Sequence, residues 1–292
     1  MEITASMVKE LRETSGAGMM DCKKALSECN GNMEEAMNYL REKGIAKSAK
    51  KESRIAAEGL ANIFVEGNKA VILEVNSETD FVSKNEEFIN MINVIGNALL
   101  KSNAKTIEEA NEIETENGKI SDYIISMIAK IGEKLSLRRF EILEKEEGEE
   151  FGTYLHMGGR IATLVLAKGT AEDVAKDVAM QAAAMKPMYL NISDVPADVL
   201  ENERKVQKEL AMNEGKPAEI AEKMVDGRIK KFYKEICLVE QPFIKDGDVS
   251  VKEYVAKNGG EILKMVRYEV GEGMEKRNDN FAEEVMNQVK GN

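Results

Sequence analysis

The spacing of the apolar residues changes along this chain, and that change constrains its fold more than any other feature. Through the first fifty or so residues the spacing is helical: Ile3, Val8 and Leu11, then Met20, Ala25 and Leu26, then Met33, Ala36, Met37 and Leu40. The run Gly59–Val65, the turn Gly67–Asn68 and the run Lys69–Asn76, in which Val71, Leu73 and Val75 alternate, then take up strand spacing and read as a hairpin. Helical spacing returns at Phe88, Ile89, Ile92, Ile95 and Leu99, and Ser83 with Glu86 three residues later fits a capping box in front of it. No single element type satisfies both spacings, so the fold class is α+β.

The same order recurs: Phe151–His156, a turn at Gly158–Gly159, Arg160–Ala167, then a helix from Ala171 to Met185. This reads as a degenerate duplication, each half an antiparallel sheet with packed helices. Between the halves, Ser121–Leu135 is expected to be a helix covering the first sheet. From Ser193 to Val239 two long helices open at Pro196 and Pro217. Val199, Val206 and Leu210 on one, with Ile220, Met224, Phe232 and Ile236 on the other, supply seams for an antiparallel helical hairpin. Phe281, Val285 and Val289 mark a C-terminal helix too short to be stable undocked. The expected organisation is a ubiquitin-associated-like three-helix bundle (1–54) with a solvated basic linker at Lys47–Lys51, a core subdomain (55–148), a second core subdomain (149–188 and 237–268), an inserted antiparallel coiled-coil hairpin (189–236) and a C-terminal module (269–292).

Charge narrows the partners. With 41 Lys+Arg against 53 Asp+Glu the net charge is −12, which disfavours sequence-independent binding to nucleic-acid phosphates and points to protein partners. The absence of Trp leaves few platforms for stacking bases. Cys22, Cys29 and Cys237 form no CxxC pair and are odd in number, which suits buried thiols in a reducing compartment. No apolar run approaches the roughly 18 residues of a membrane span, and Met1–Thr4 does not begin a basic-then-apolar leader. A cytoplasmic protein with no membrane or direct nucleic-acid partner is expected.

Little suggests catalysis. There is no G-x-x-x-x-G-K-[ST] loop, and the G-x-G patterns at Gly16–Gly18 and Gly271–Gly273 lack a third glycine and a strand-to-helix setting. The sole histidine, His156, falls at a hairpin turn with no cysteine beside it in sequence. The acidic residues show no zinc or EF-hand spacing. No catalytic residue, metal or cofactor is therefore expected. In Thr79–Asp80–Phe81–Val82, spacing alone makes Phe81 a core residue and Asp80 a turn former.

That same segment carries a resemblance. Glu74–Lys84 (EVNSETDFVSK) resembles the second signature of the elongation factor Ts family, and Leu11–Arg12 followed by SGAGMMDCKKAL resembles the first, with Ser15 where Thr is more usual. AKIGEK at Ala129–Lys134, YLHMGGRIATLV at Tyr154–Val165, the stretch Lys216–Phe243 and VRYEVGEGMEK at Val266–Lys276 extend the likeness over nearly the whole chain. Residues 102–123 and the tail after Asn280 depart from it.

The resemblance implies a protein that is not an enzyme: a guanine-nucleotide exchange factor that binds elongation factor Tu, GDP-bound and nucleotide-free, as a heterodimer or a 2:2 complex, displacing magnesium and releasing GDP so that GTP can bind. It implies that Thr79, Asp80, Phe81 and Val82 form a loop entering the partner near its magnesium, with Phe81 as an apolar wedge and Asp80 near the metal's ligands. It places His156 at a second intrusion point, and Lys9, Arg12, Met19, Met20 and Lys23 on an N-terminal face gripping the partner. From the residues alone, Met19 and Met20 serve equally well as bundle core. Two other readings stand beside it: an adaptor or chaperone-like interaction module, and a cysteine-dependent enzyme pairing His156 with Cys22, Cys29 or Cys237.

Overall fold

The computed structural model describes residues 3–15 and 17–275, which divide into two compact units. Of these, one holds residues up to Phe64, Leu73–Ile142 and 269–275, the other Val65–Ile72 and Leu143–Tyr268. The fold is α+β, with ten α-helices and antiparallel sheets among the described residues. The expected tail helix at Phe281, Val285 and Val289 lies outside those residues.

The first unit opens with α1 (Ala5–Ser15), α2 (Met19–Glu28) and α3 (Met33–Ala49). Asn30 and Gly31 take positive φ between the second and third, and the Asn32 side chain caps α3 by accepting from the Glu34 and Glu35 N–H groups at 3.0 and 3.2 Å. Val8, Leu11, Cys22, Ala25, Leu26 and Ala36 form the shared core. Two expectations fail here. Met20 points away from that core, and the basic stretch expected as a linker is largely the last turn of α3, which runs to Ala49.

A hairpin of β1 (Glu58–Glu66) and β2 (Lys69–Ser77) turns at Gly67–Asn68, and β5 (Ser136–Glu144) lies beside β2 to give the order β1-β2-β5. The helix α4 (Glu86–Leu100) buries Phe88, Met91, Ile92, Ile95 and Leu99. Its cap is Asn85, whose side chain accepts from Glu87 N–H at 2.8 Å; the Ser83 hydroxyl donates instead to the Asp80 carbonyl, so the capping box expected at Ser83 and Glu86 is not formed. After α5 (Ile107–Asn111), β3 (Glu114–Thr115) and β4 (Gly118–Lys119), α6 (Ile120–Ile131) packs on α3 and α4. It ends before the expected Leu135 because Gly132 takes φ 89°, a left-handed cap that stops the helix.

In the second unit β6 (Glu149–His156) pairs antiparallel with β7 (Ile161–Lys168), in register from Glu149↔Lys168 to His156↔Ile161. Next come α7 (Glu172–Met185), α8 (Ala197–Asn213), α9 (Ala218–Ile236), β8 (Pro242–Phe243), β9 (Asp246–Ser250), α10 (Val251–Lys257) and β10 (Glu261–Glu269). The sheet order is β10-β7-β6, and Val165, Val174, Val178, Ala182, Leu238, Phe243 and Val255 share its core. The helices α8 and α9 pack together as the expected pair, on a seam met only in part: Ile236 is buried and Val199, Met224 and Phe232 are half-buried, but other residues complete it. Ala211, Ala221, Val225 and Ile229 are buried, while Val206, Leu210 and Ile220 are exposed. Small alanines bring the two backbones together, and the pairs Arg204–Asp226 (2.6 Å), Lys208–Glu222 (2.9 Å) and Arg228–Glu214 (2.9 Å) flank them.

Candidate functional site

Strand β2 is buried from Ala70 to Ser77, and the chain then leaves the sheet in a loop with a fixed neck and an outward-facing tip. At the neck, the N–H groups of Glu78 and Thr79 donate to one oxygen of the Glu133 carboxylate at 3.0 and 2.9 Å, and the Thr79 hydroxyl donates to the other at 2.6 Å. The Glu78 carboxylate accepts from Lys134 N–H at 2.6 Å and pairs with Arg54 at 3.1 Å. Ser77 Oγ donates to the Thr79 carbonyl at 2.9 Å, and Ser83 Oγ to the Asp80 carbonyl at 2.6 Å. Beyond the tip a single 3-10 turn, Val82–Lys84, leads back, with Val82 buried as its anchor.

Phe81 does not join the core. Its side chain is 81% exposed, next to an exposed Asp80, which overturns the reading from spacing. A Phe left in water forgoes roughly 2–3 kcal/mol of burial, so the tip carries an apolar group that a partner pocket can take up. Thr79, Asp80, Phe81 and Val82 thus share one loop with the polar work done at its base.

Lys9 and Arg12 lie exposed on α1, and Met19, Met20 and Lys23 exposed on α2. Met19 and Met20 are 58% and 75% exposed, which excludes them from the bundle core. Lys9 pairs loosely with Glu13 at 3.8 Å. In the other unit His156 ends β6, exposed, with its ring 6.1 Å from that of Tyr154. The turn that follows takes positive φ at Met157, Gly158 and Gly159, and Met157 is 71% exposed. A non-glycine residue in that region is strained, and the exposed Met157 there is an apolar surface group that sequence reasoning did not single out.

Glu74 and Glu133 were also missed. Glu74 has no exposed surface and accepts from Arg138 at 2.9 Å and Arg139 at 2.6 Å, from the Asn76 amide and from Gly271 N–H. Burial pushes its carboxyl up, but the Gly271, Asn76 and Arg138 hydrogen bonds and the Arg139 charge outweigh that and hold it below the usual carboxylate value. Both glutamates stand inside the quoted motifs, yet partners some 55 to 65 residues away in the chain are invisible to local patterns.

Of the cysteines, Cys22 and Cys237 are buried as expected, but Cys29 is only half-buried. Burial, with Glu240 and Asp194 nearby, pushes the Cys237 thiol up to about 11, the opposite of an activated nucleophile. Among the described residues no group of three or more His, Cys, Asp or Glu could hold a metal ion, and no helix is long and apolar enough to cross a membrane.

A family model described as "Elongation factor TS" matches residues 78–272, which take in the loop, its Glu133 anchor, the His156 turn and the helical hairpin. That match spans well over half of the 292 residues. On that match, which includes the anchored, outward-facing loop, this chain belongs to the elongation factor Ts family of translation elongation factors.

Proposed function

We propose that this protein is a guanine-nucleotide exchange factor for elongation factor Tu that acts by binding and has no catalytic residue of its own. The observation that carries the reading is Phe81, an aromatic side chain 81% exposed at the tip of a loop whose neck is fixed by Glu133. Phe81 inserts into an apolar pocket of the GDP-bound partner and Asp80 approaches the ligand shell of its magnesium. That ion requires strict octahedral oxygen coordination and ties the partner's switch residues to the phosphates, so disturbing one ligand loosens both metal and nucleotide. His156 and the adjoining Met157 press on the phosphate-binding side. Lys9, Arg12, Met19, Met20 and Lys23 hold the partner's nucleotide domain, the methionines adapting to its surface.

Exchange is reversible by linkage: the factor by which this protein weakens GDP binding is the factor by which GDP weakens its own binding, and GTP then releases it. The remaining finer assignments belong to the same reading. The N-terminal helices are a ubiquitin-associated-like domain over 1–54, the core a duplication over 55–148 and 149–188 with 237–268, and 189–236 a coiled-coil insertion. The setting is the cytoplasm, with a heterodimer or a 2:2 complex as the assembly.

The test is the release rate of a fluorescent GDP analogue from elongation factor Tu. Strong acceleration by the wild type, largely lost in an Asp80→Ala/Phe81→Ala variant that melts normally, is the expected result. No acceleration by the wild type would overturn the proposal in favour of an adaptor. Acceleration retained in the variant would move the action to His156 and the N-terminal face.

A further inference from the structure

Glu133 is the carboxylate whose three hydrogen bonds all come from the loop's own residues. They come from consecutive backbone N–H groups and from the hydroxyl of Thr79, the residue immediately before the Asp80–Phe81 tip. Two oxygens receiving three donors fix the plane of the Glu78–Thr79 peptide, and so the direction in which the chain leaves the sheet. Glu133 is itself held. It follows Gly132, the left-handed cap of α6, and precedes Lys134, whose N–H donates to Glu78. The segment is tied to the turn after α3 as well, since the Lys51 ammonium donates to the Gly132 carbonyl and the Lys134 ammonium to the Glu52 carbonyl. The helix α6 in turn is joined to α3 by Arg41–Asp122 at 2.6 Å. A rigid anchor on packed helices thus aims the entry to a loop whose exit is held by Ser83, Lys84 and the buried Val82, while the Phe81 side chain itself stays exposed.

Resting on the exchange reading above, we infer that Glu133 is a positioning residue for nucleotide release, setting the angle at which Phe81 and Asp80 enter the partner. It touches neither nucleotide nor magnesium and acts through Thr79. Its removal leaves the N-terminal grip intact and lets the wedge wander, and misplacement by an ångström or so costs on the order of tenfold to a hundredfold in rate.

Two variants separate positioning from folding. In Glu133→Gln the amide oxygen can accept the two N–H bonds while the amide nitrogen donates to the Thr79 hydroxyl, so the neck keeps its shape. Glu133→Ala removes both acceptor oxygens and with them all three hydrogen bonds. GDP release from elongation factor Tu is followed against increasing concentration of each variant. A variant that is merely less folded needs more protein to reach the same maximal rate, whereas a mispositioned wedge lowers the maximal rate itself. The expected result is a maximal acceleration at least about tenfold lower for Glu133→Ala, with Glu133→Gln restoring most of it. Glu133→Ala reaching the wild-type maximum would overturn the inference.

Amide hydrogen exchange of the free wild-type protein gives an arm independent of any variant's folding. Glu78 and Thr79 N–H are expected to be protected, and exchange at the speed of an unstructured peptide would also sink the assignment. If wild type does not accelerate release at all, the exchange reading fails first, and the hydrogen-exchange result alone still decides whether the clamp exists.

Discussion

The N–H of Gly271 donates a 2.9 Å hydrogen bond to the carboxylate of Glu74, 197 residues earlier in the chain. The same carboxylate takes both guanidinium groups of the adjacent pair Arg138 and Arg139, which reach on to the carbonyls of Glu272 and Glu269. One buried charge therefore fastens the segment after β10 to the strand that leads into the Phe81 loop.

Replacing Glu74 by Gln keeps the shape but leaves two cations facing a neutral amide. Removing one partner of a fully buried pair costs about 3–5 kcal/mol; with the guanidinium side chains 23% and 28% exposed, about 2–3 kcal/mol is expected here. The pH dependence has a definite sign. The folded carboxyl lies below its unfolded value, so its contribution is complete above about pH 4.3 and fades as pH falls through the folded value. Urea unfolding of wild type and Glu74→Gln should show a constant gap from pH 7 to about pH 5 that closes at lower pH. A gap that widened on acidification would contradict this account of the network.

Phe81→Ala removes a side chain that is 81% exposed, so its thermal stability should stay within about 0.5 kcal/mol of wild type. His156→Ala, at an exposed hairpin end, should behave alike. Calorimetry on the two variants checks this, and a large loss of stability in Phe81→Ala would mean that the ring packs on its own protein in solution.

Much of what depends on local spacing was legible in the sequence, although β5, α10 and β10 were not read and the capping box at Ser83 did not form. The hairpin about Gly67–Asn68, the β6–β7 pair, and the helices opening at Pro196 and Pro217 lie within a residue or two of where spacing placed them. What depends on which face meets the core was not. Met20 and Leu210 have helical spacing to buried neighbours but sit on the solvent side, since spacing gives a stripe and not its width. Phe81 read as core because large aromatics usually are, and only the signature marked it as an exception. The neck at Glu133 could not be inferred at all, being made by residues from the far ends of two elements.

The thiols should separate by accessibility. Under native conditions at pH 8, a thiol reagent is expected to modify Cys29 first, while Cys22 and Cys237 react only on unfolding. Cys237, with its thiol pushed up to about 11, should be slow even when transient opening admits reagent. Mass spectrometry after graded labelling identifies the order, and early modification of Cys237 would refute its burial.

Gly152, in β6, stands where the backbone of α7 comes closest to the sheet. A Cβ there would lie 2.0 Å from the Ala175 carbonyl oxygen and 2.6 Å from Lys176 N, far inside contact distance and against main chain that cannot swing aside as a side-chain tip can. To admit even a methyl group, α7 must lift from the β6–β7 pair, opening the core around Val165, Val174, Val178 and Ala179. The expected cost of Gly152→Ala is at least about 2 kcal/mol, within the range of overpacked cores, and urea unfolding measures it. Gly247→Ala, whose Cβ would meet nothing within 4 Å, is the matched control and should change stability by only a few tenths of a kcal/mol. Equal stability of the two variants would show that α7 does not approach the sheet as closely as this contact requires.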